Sequence, residues 1–319
     1  MSPLPSLRVL ERAAQQALPE HRLARFRVHQ DGWTNLMLEA NGRFMFRFPR
    51  WPGPAHALQF EVRLLEVLQE HLSIPIPAPI RIATLEKPRG GPFLVCRKLL
   101  GAPLDEFPSL GPSELRRLSA FLVQLLRELE DVPSAPLRRI GAEPGDVAAW
   151  ATKYERVRLR FRKIASRHLS PALRESVERH FKGFFAALRE SDYRAVLLHH
   201  DLWPSHILWD RASRRPVGVI DWEDARFGDP AFDLTELRGI GAANAKSLTA
   251  IRKARRDVAF DERLVFYRRI APIFGIMFGI ETGRSPIFRG HVKALRSSLR
   301  IANVEESWAP LSMPRQSSE

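Results

Sequence analysis

The chain has 319 residues, about two domains' worth, and its 45% hydrophobic and 27% charged content is that of a protein with a packed core. No apolar run approaches the roughly 18 residues of a membrane-spanning helix, and the single cysteine, Cys96, excludes an intrachain disulfide. The net charge of +14 favours polyanions such as nucleotide phosphates or RNA and disfavours cationic ligands at long range, unless it is simply spread over solvated faces.

In chain order, the opening Met1-Ser2-Pro3-Leu4-Pro5 lacks the basic start and apolar stretch of a secretory signal, so a cytoplasmic, reducing setting is expected. Three strands are predicted between about 20 and 48. Arg25-Phe26-Arg27-Val28-His29 alternates, Asp31-Gly32 turns, and an extended stretch follows to residue 40. Asn41-Gly42 is a two-residue hairpin signal, and Arg43-Phe44-Met45-Phe46-Arg47-Phe48 alternates again until Pro49, Pro52 and Pro54. Leu58, Val62, Leu65 and Leu68 recur at three- and four-residue steps and predict an amphipathic helix over 55–71. Beyond a proline-rich link, two more strands are predicted at about 80–84 and 93–96.

From there the pattern turns helical, with helices predicted at about 112–131 and 146–190. The run Arg156-Val157-Arg158-Leu159-Arg160-Phe161-Arg162 is strand-like by itself; the length of its segment and the resemblance described below decide for helix. Motif hairpins are expected at about 195–222, and two or more helices follow at about 231–252 and 260–282. The Ser/Pro-rich tail from Trp308 is expected to fray.

Two runs carry the chemistry: Leu198-His199-His200-Asp201-Leu202-Trp203-Pro204-Ser205-His206-Ile207-Leu208 and Val219-Ile220-Asp221-Trp222-Glu223-Asp224. Each sets acidic or imidazole groups at the end of an apolar stretch. Phosphoryl transfer needs a carboxylate beside the acceptor hydroxyl and two ligands for the magnesium ion that neutralises a triphosphate. In the kinase plan the first Asp is the base, the residue five positions on is a metal ligand, and an Asp on the next hairpin is the other. Those positions are Asp201, His206 and Asp221.

With His199-His200-Asp201, Ile220-Asp221-Trp222, Gly228-Asp229-Pro230 and Asp233-Leu234, the chain resembles the aminoglycoside and macrolide phosphotransferases. Their catalytic loop usually has Gly where His200 stands and Asn where His206 stands. The second difference is similar to the branch of 2''-aminoglycoside phosphotransferases and macrolide kinases. The resemblance implies an α+β, bilobal protein-kinase-like fold. Its small antiparallel-sheet N-lobe, with one helix, would be residues 1–97; its larger, mostly helical C-lobe would be 98–319, with the hinge at about 96–101.

It also implies transfer of the γ-phosphate of ATP or GTP to a hydroxyl of an aminoglycoside, macrolide or similar small molecule. Asp201 would be the base, and Mg²⁺ would be held by His206 and Asp221. Arg47 alternates with three Phe residues and so points to the cleft, where it would meet phosphate with Glu61 as its helix partner; Arg50 is the rival cation. Thr34 would donate to phosphate from the Gly-poor turn Asp31-Gly32-Trp33-Thr34-Asn35, and Arg97 and Leu99 would lie along the purine.

His199 would hold the loop, Asp229 would brace it, and Asp233 would cap the next helix. Glu223 and Asp224 would crowd the metal, while Glu236 and Glu281 would line the acceptor pocket. Three other readings stand beside this one: a nucleotide-binding protein with weak or no catalysis, a zinc site on His199, His200 and His206, and an RNA-associated protein. Zinc lacks the usual ligand spacing, and RNA lacks a recognised module. A monomer acting on a small acceptor and a nucleoside triphosphate, with neither membrane nor nucleic acid, is the expectation.

Overall fold

The computed structural model describes residues 6–29, 35–50, 55–86, 90–107, 109–236, 257 and 259–300. The described residues pack as two compact units, one formed by those up to Glu143 together with His199–Arg226, the other by Pro144–Leu198 and the described residues beyond Arg226.

In the first unit, strands β1 (Phe26–His29), β2 (Asn35–Ala40), β3 (Phe44–Pro49), β4 (Ala78–Leu85) and β5 (Gly91–Arg97) form one antiparallel sheet in the order β1-β2-β3-β5-β4. Period-two alternation sorts its faces. Leu36, Leu38, Phe44, Phe46, Phe48, Phe93 and Val95 build the core on one side with Leu10, Ala13, Ala14 and Ala17 of helix α1 (Leu7–Ala17). Met45 and Arg47 turn to the other side. Helix α2 (Ala55–His71), with buried Leu64, Leu65 and Leu68, packs on β4 and β5. The three strands, the helix and the two further strands thus follow the sequence pattern; α1 was not among the predicted elements.

The same unit continues into α3 (Pro112–Asp131), α4 (Ser134–Arg139) and a three-stranded sheet of β6 (Ala102–Pro103), β8 (Ile207–Asp210) and β9 (Arg215–Val219). The β8–β9 hairpin separates the two chemical runs. It is tied to the link after α2 by Val219 N–H, which donates to the Pro75 carbonyl at 3.0 Å. Gly218 permits that approach, since a Cβ there would sit 2.9 Å from the Pro75 oxygen.

In the second unit, α5 (Val147–Ala165) starts where the Asp146 carboxylate accepts from Ala149 N–H at 2.9 Å. The alternating run 156–162 lies inside this helix. Helical spacing buries Phe161 and leaves Arg158 on the side of Glu155 and Glu178, which it pairs at 2.6 Å each. After a short 3₁₀ turn, α6 (Pro171–Glu190) follows. β7 (Val196–Leu198) pairs with β10 (Arg226–Gly228), and the helices Phe260–Ile270, Pro272–Glu281 and Ser285–Ser298 complete the unit. Trp150, Tyr154, Phe184, Phe266 and Tyr267 form its aromatic core.

Asp229 departs from expectation. It does not brace the catalytic loop; its carboxylate accepts from Ala231 N–H at 2.9 Å, from Arg263 at 2.6 and 3.1 Å, and from the Tyr267 hydroxyl at 2.6 Å, all buried. The Asp229 turn is thereby pinned to the helix Phe260–Ile270. Asp233 is the first residue of α7 (Asp233–Glu236), at the start of the helix it was expected to cap; the rest of the helix expected to 252 and the basic run 253–256 lie outside the described residues. Among the described residues no helix is long and apolar enough to cross a membrane.

Candidate active site

The two runs converge through backbone bonds at the base of the β8–β9 hairpin. Ile220 N–H donates to the His206 carbonyl at 2.9 Å, and the His199 ring returns the tie, its Nε2 donating to the Ile220 carbonyl at 3.0 Å. His199 Nδ1 accepts from Asp201 N–H at 3.3 Å, so each nitrogen is spent and the tautomer is fixed. Burial, with His206 nearby, pushes the imidazole down to about 3, and it stays neutral. His199 holds the loop as expected. With its nitrogens committed, the three-histidine zinc site does not form.

His200 and Asp221 have left-handed backbones, with φ of 68° and 69°. Such a conformation disfavours a side chain by about 1–2 kcal/mol, and it gives a physical reason for glycine at the position His200 occupies. Asp tolerates it better, because a short polar side chain can bond locally.

His206 Nδ1 lies 2.7 Å from the Asp201 carbonyl, an oxygen that can only accept. The proton therefore sits on Nδ1, and in the neutral ring the Nε2 lone pair faces Asp221 Oδ2 at 3.4 Å. Asp201 Oδ2 is 3.3 Å from Nδ1. Ligand atoms of Asp201, His206 and Asp221 all lie within 4.8 Å of one another, the one group of its kind among the described residues. Two carboxylates and an imidazole with ligand atoms this close together make a donor set that fits a divalent ion.

Charge and burial support the same view. Burial, reinforced by Asp221 and Asp224 and opposed by His206, raises the Asp201 carboxyl to about 6. Asp221 is raised too, by burial first and then by Glu223 and Asp224, against His206 and Arg47.

Arg47 enters from the sheet. Its guanidinium pairs with Glu61 of α2 and reaches Glu223 at 3.6 Å and Asp221 at 3.9 Å. Of the two candidate cations this is the one beside the acidic group; Arg50 donates to the Asn35 carbonyl at 3.3 Å. Three carboxylates share one guanidinium. Arg47 stays protonated, while burial with Glu223 and Asp221 holds Glu61 above the usual carboxylate range despite Arg47. Asn35 closes the ring, its Nδ2 donating to Glu223 at 3.0 Å. Neither Asn35 nor Glu223 had been linked to Arg47 from sequence, since 188 residues separate the first two.

Of the remaining expected residues, Arg97 ends β5 opposite Phe44 and Ala78. Leu99 is half-buried and its side chain packs beside Gly218. Thr34 and the side chain of Glu236 lie outside the described residues. Glu281 pairs with Arg160 at 2.7 Å. Cys96 is buried, its thiol pushed up to about 12, which removes it as a nucleophile.

The buried pair makes its own prediction. Arg47→Met should cost about 3–5 kcal/mol, because Glu61 is left buried without its partner. The loss should shrink as pH falls, since protonating Glu61 removes the orphaned charge, and Arg47→Met/Glu61→Met should recover much of it. Urea unfolding of the three proteins at two pH values measures this; equal losses in the single and double variants would contradict it.

Residues 8–267 match the model of the phosphotransferase enzyme family (APH). Viomycin phosphotransferase of Streptomyces vinaceus is 25% identical over 234 residues, covering 72% of this chain and 77% of that one. Acyl-CoA dehydrogenase family member 11 of Rattus norvegicus is 26% identical over 251 residues, 72% of this chain; the chain spans only 30% of that protein's length. The solved GDP and kanamycin complex of APH(2'')-IIIa superposes with a TM-score of 0.79 at 21% identity, over 91% of this chain and 97% of that one. At that identity the likeness establishes the fold, the α+β, kinase-like one expected from the motifs.

Proposed function

The chain belongs to the phosphotransferase enzyme family, and from that premise we propose that it transfers the terminal phosphate of ATP or GTP to a hydroxyl of a small molecule. The convergence of Asp201, His206 and Asp221 beside the Arg47–Glu61 pair carries the reading. Residues 1–97 would form the nucleotide lobe and 98–319 the acceptor lobe, with Arg97 and Leu99 along the purine and Thr34 near phosphate.

Asp201 accepts a hydrogen bond from the acceptor hydroxyl, orients it and takes its proton late, because positioning dominates phosphoryl transfer. Arg47, held by Glu61, turns its charge toward phosphate oxygens. His199 and Ile220 keep the two loops in register. His206 and Asp221 would hold Mg²⁺, which supplies charge neutralisation of the triphosphate when bound. The +14 charge does not describe this locality, where Asp201, Asp221, Glu223 and Asp224 outnumber Arg47. Aminoglycosides and macrolides, by resemblance, and viomycin, by the name of a relative, are the first acceptors to try.

Two measurements test the proposal: thermal shift by ATP and GTP with and without Mg²⁺, and product formation with kanamycin, erythromycin and viomycin. A Mg²⁺-dependent shift with phosphorylated product is expected. A shift without product from any acceptor would favour a nucleotide-binding protein of weak catalysis. No shift with either nucleotide would remove the reading.

A further inference from the structure

Two features of the sequence take no part in the acidic site: the net charge of +14 and the alternating run 156–162. They belong together. Segments 147–168 and 272–298 hold eleven Lys and Arg residues against two acids, Glu155 and Glu281. Nine of the fourteen excess charges thus fall in less than a sixth of the chain. The charge is concentrated, not spread evenly. The two segments also adjoin. Arg160 of α5 pairs with Glu281 at 2.7 and 2.9 Å, and the His168 ring lies 6.0 Å from that of Phe288 in the helix Ser285–Ser298.

Helical spacing sorts the cations of α5 onto different sides. Arg158 is cancelled by Glu155 and Glu178. Arg156, Arg160 and Lys163, at steps of four and three, share another side, and Arg167 continues it through the 3₁₀ turn. All four are exposed. Among the described residues Arg156 and Lys163 have no ion-pair partner, Arg167 meets the His168 ring at 3.0 Å, and Arg160 has Glu281. The helix Ser285–Ser298 adds exposed Arg289 and Lys293 and contains no acid. On the side of α5 opposite the row, Trp150, Tyr154 and Phe161 are buried in the core. The helix therefore has no apolar face left to sink into a bilayer.

We propose that this side of α5 is a docking surface for single-stranded RNA, held through its phosphate backbone. Neighbouring positions of the row are about 5–6 Å apart, close to the step between phosphates of an extended strand. From Arg156 to Arg167 the row runs about 16 Å. It is one side chain wide, so it follows one backbone, whereas a duplex presents two and a bilayer a plane. Trp150 and Tyr154 are buried and offer bases nothing to stack on, so the strand is held by charge without regard to sequence. This departs from the expectation that nucleic acid has no part. The sequence contains no RNA-binding module, and what marks the surface is the position of its charge. The surface lies in the second unit and does not rest on the phosphotransferase reading.

The test is fluorescence anisotropy with labelled oligo(U), oligo(A) and a DNA duplex of equal length, between about 50 and 200 mM salt. Cosedimentation with phosphatidylcholine vesicles, with and without phosphatidylserine, runs beside it. Wild type should bind oligo(U) and oligo(A) alike. Its log–log salt slope should be about −2 to −3, since each phosphate contact on a single strand contributes about −0.7. R156Q/K163Q should shrink that slope by about 1.4 and weaken binding about tenfold or more at the lowest salt. R116Q/R127Q removes the same charge from exposed positions of α3 and should change little. E281Q frees Arg160 and should tighten binding.

Equal losses in the two double variants would overturn the proposal, because binding would then follow net charge alone. Tighter binding to the duplex would overturn it, as would binding to phosphatidylserine vesicles alone or no binding to either oligonucleotide at the lowest salt. The thermal midpoint of R156Q/K163Q should equal that of wild type; a large drop would overturn the proposal too, because these side chains would then be holding the fold. None of these outcomes bears on the phosphotransferase reading.

Discussion

Asp201→Asn is expected to cut turnover by about 10²–10⁴-fold, the range for losing a general base, while nucleotide affinity stays nearly unchanged. On the proposed mechanism the base acts on the acceptor and not on the triphosphate, and Asn keeps the shape of the side chain. The same substitution should make the metal-free protein more stable near neutral pH. The carboxyl is raised from 3.8 to about 6, chiefly by burial, so the folded state binds its proton more tightly than the unfolded one. Stability is then lost as pH rises from about 4 to about 6, and wild type carries that cost in full above it. Asn carries none of it.

The gap in melting temperature between Asp201→Asn and wild type, measured in chelator, should therefore be widest above pH about 6 and should close toward pH 4. Wild-type turnover should rise through the same window as the base ionises, with any shift due to bound metal superimposed. Turnover at the wild-type rate in Asp201→Asn would refute the assignment of the catalytic loop. Such a trade of stability for reactivity is what a buried carboxylate at a working site implies.

Local chemistry made most of this site legible. Asp201, His206 and Asp221 stand within 20 residues, each at the end of an apolar run, so their convergence needed only one hairpin between them. Arg47 was readable because alternation with Phe44, Phe46 and Phe48 sends it to the opposite face, and Glu61 because the resemblance puts the partner of that cation on the following helix. What stayed hidden is what no short pattern encodes. Asn35 and Glu223 meet across 188 residues, and Asp229 finds Arg263 34 residues away instead of the loop beside it. Helix α1 escaped because its buried face is largely alanine, Ala13, Ala14 and Ala17, which carries little apolar contrast. The strained backbone of His200 is likewise invisible in a sequence where His stands and not Gly.

Asp221→Asn should weaken Mg²⁺-nucleotide binding and turnover together, by at least about 10–100-fold, the loss that even indirect supports of a metal site produce. This joint loss separates Asp221 from Asp201, whose replacement should touch turnover alone. Asn is the informative choice because it tolerates the left-handed backbone at φ 69°. Alanine would mix backbone strain with the loss of charge. With the carboxylate gone, His206 Nε2 keeps its lone pair but loses the partner at 3.4 Å, and Arg47 loses the carboxylate at 3.9 Å while keeping Glu61 and Glu223. The guanidinium therefore stays in place, and nucleotide binding without Mg²⁺ should change little. Raising Mg²⁺ should restore part of the activity of Asp221→Asn and none of that of Asp201→Asn, since on the proposed reading only the former lacks a ligand. Calorimetric titration with nucleotide at several Mg²⁺ concentrations measures each of these quantities. Unchanged Mg²⁺-nucleotide affinity in Asp221→Asn would mean that the carboxylate is not a ligand. The charge ring around Arg47 would then have to be explained as a purely internal ion-pair network.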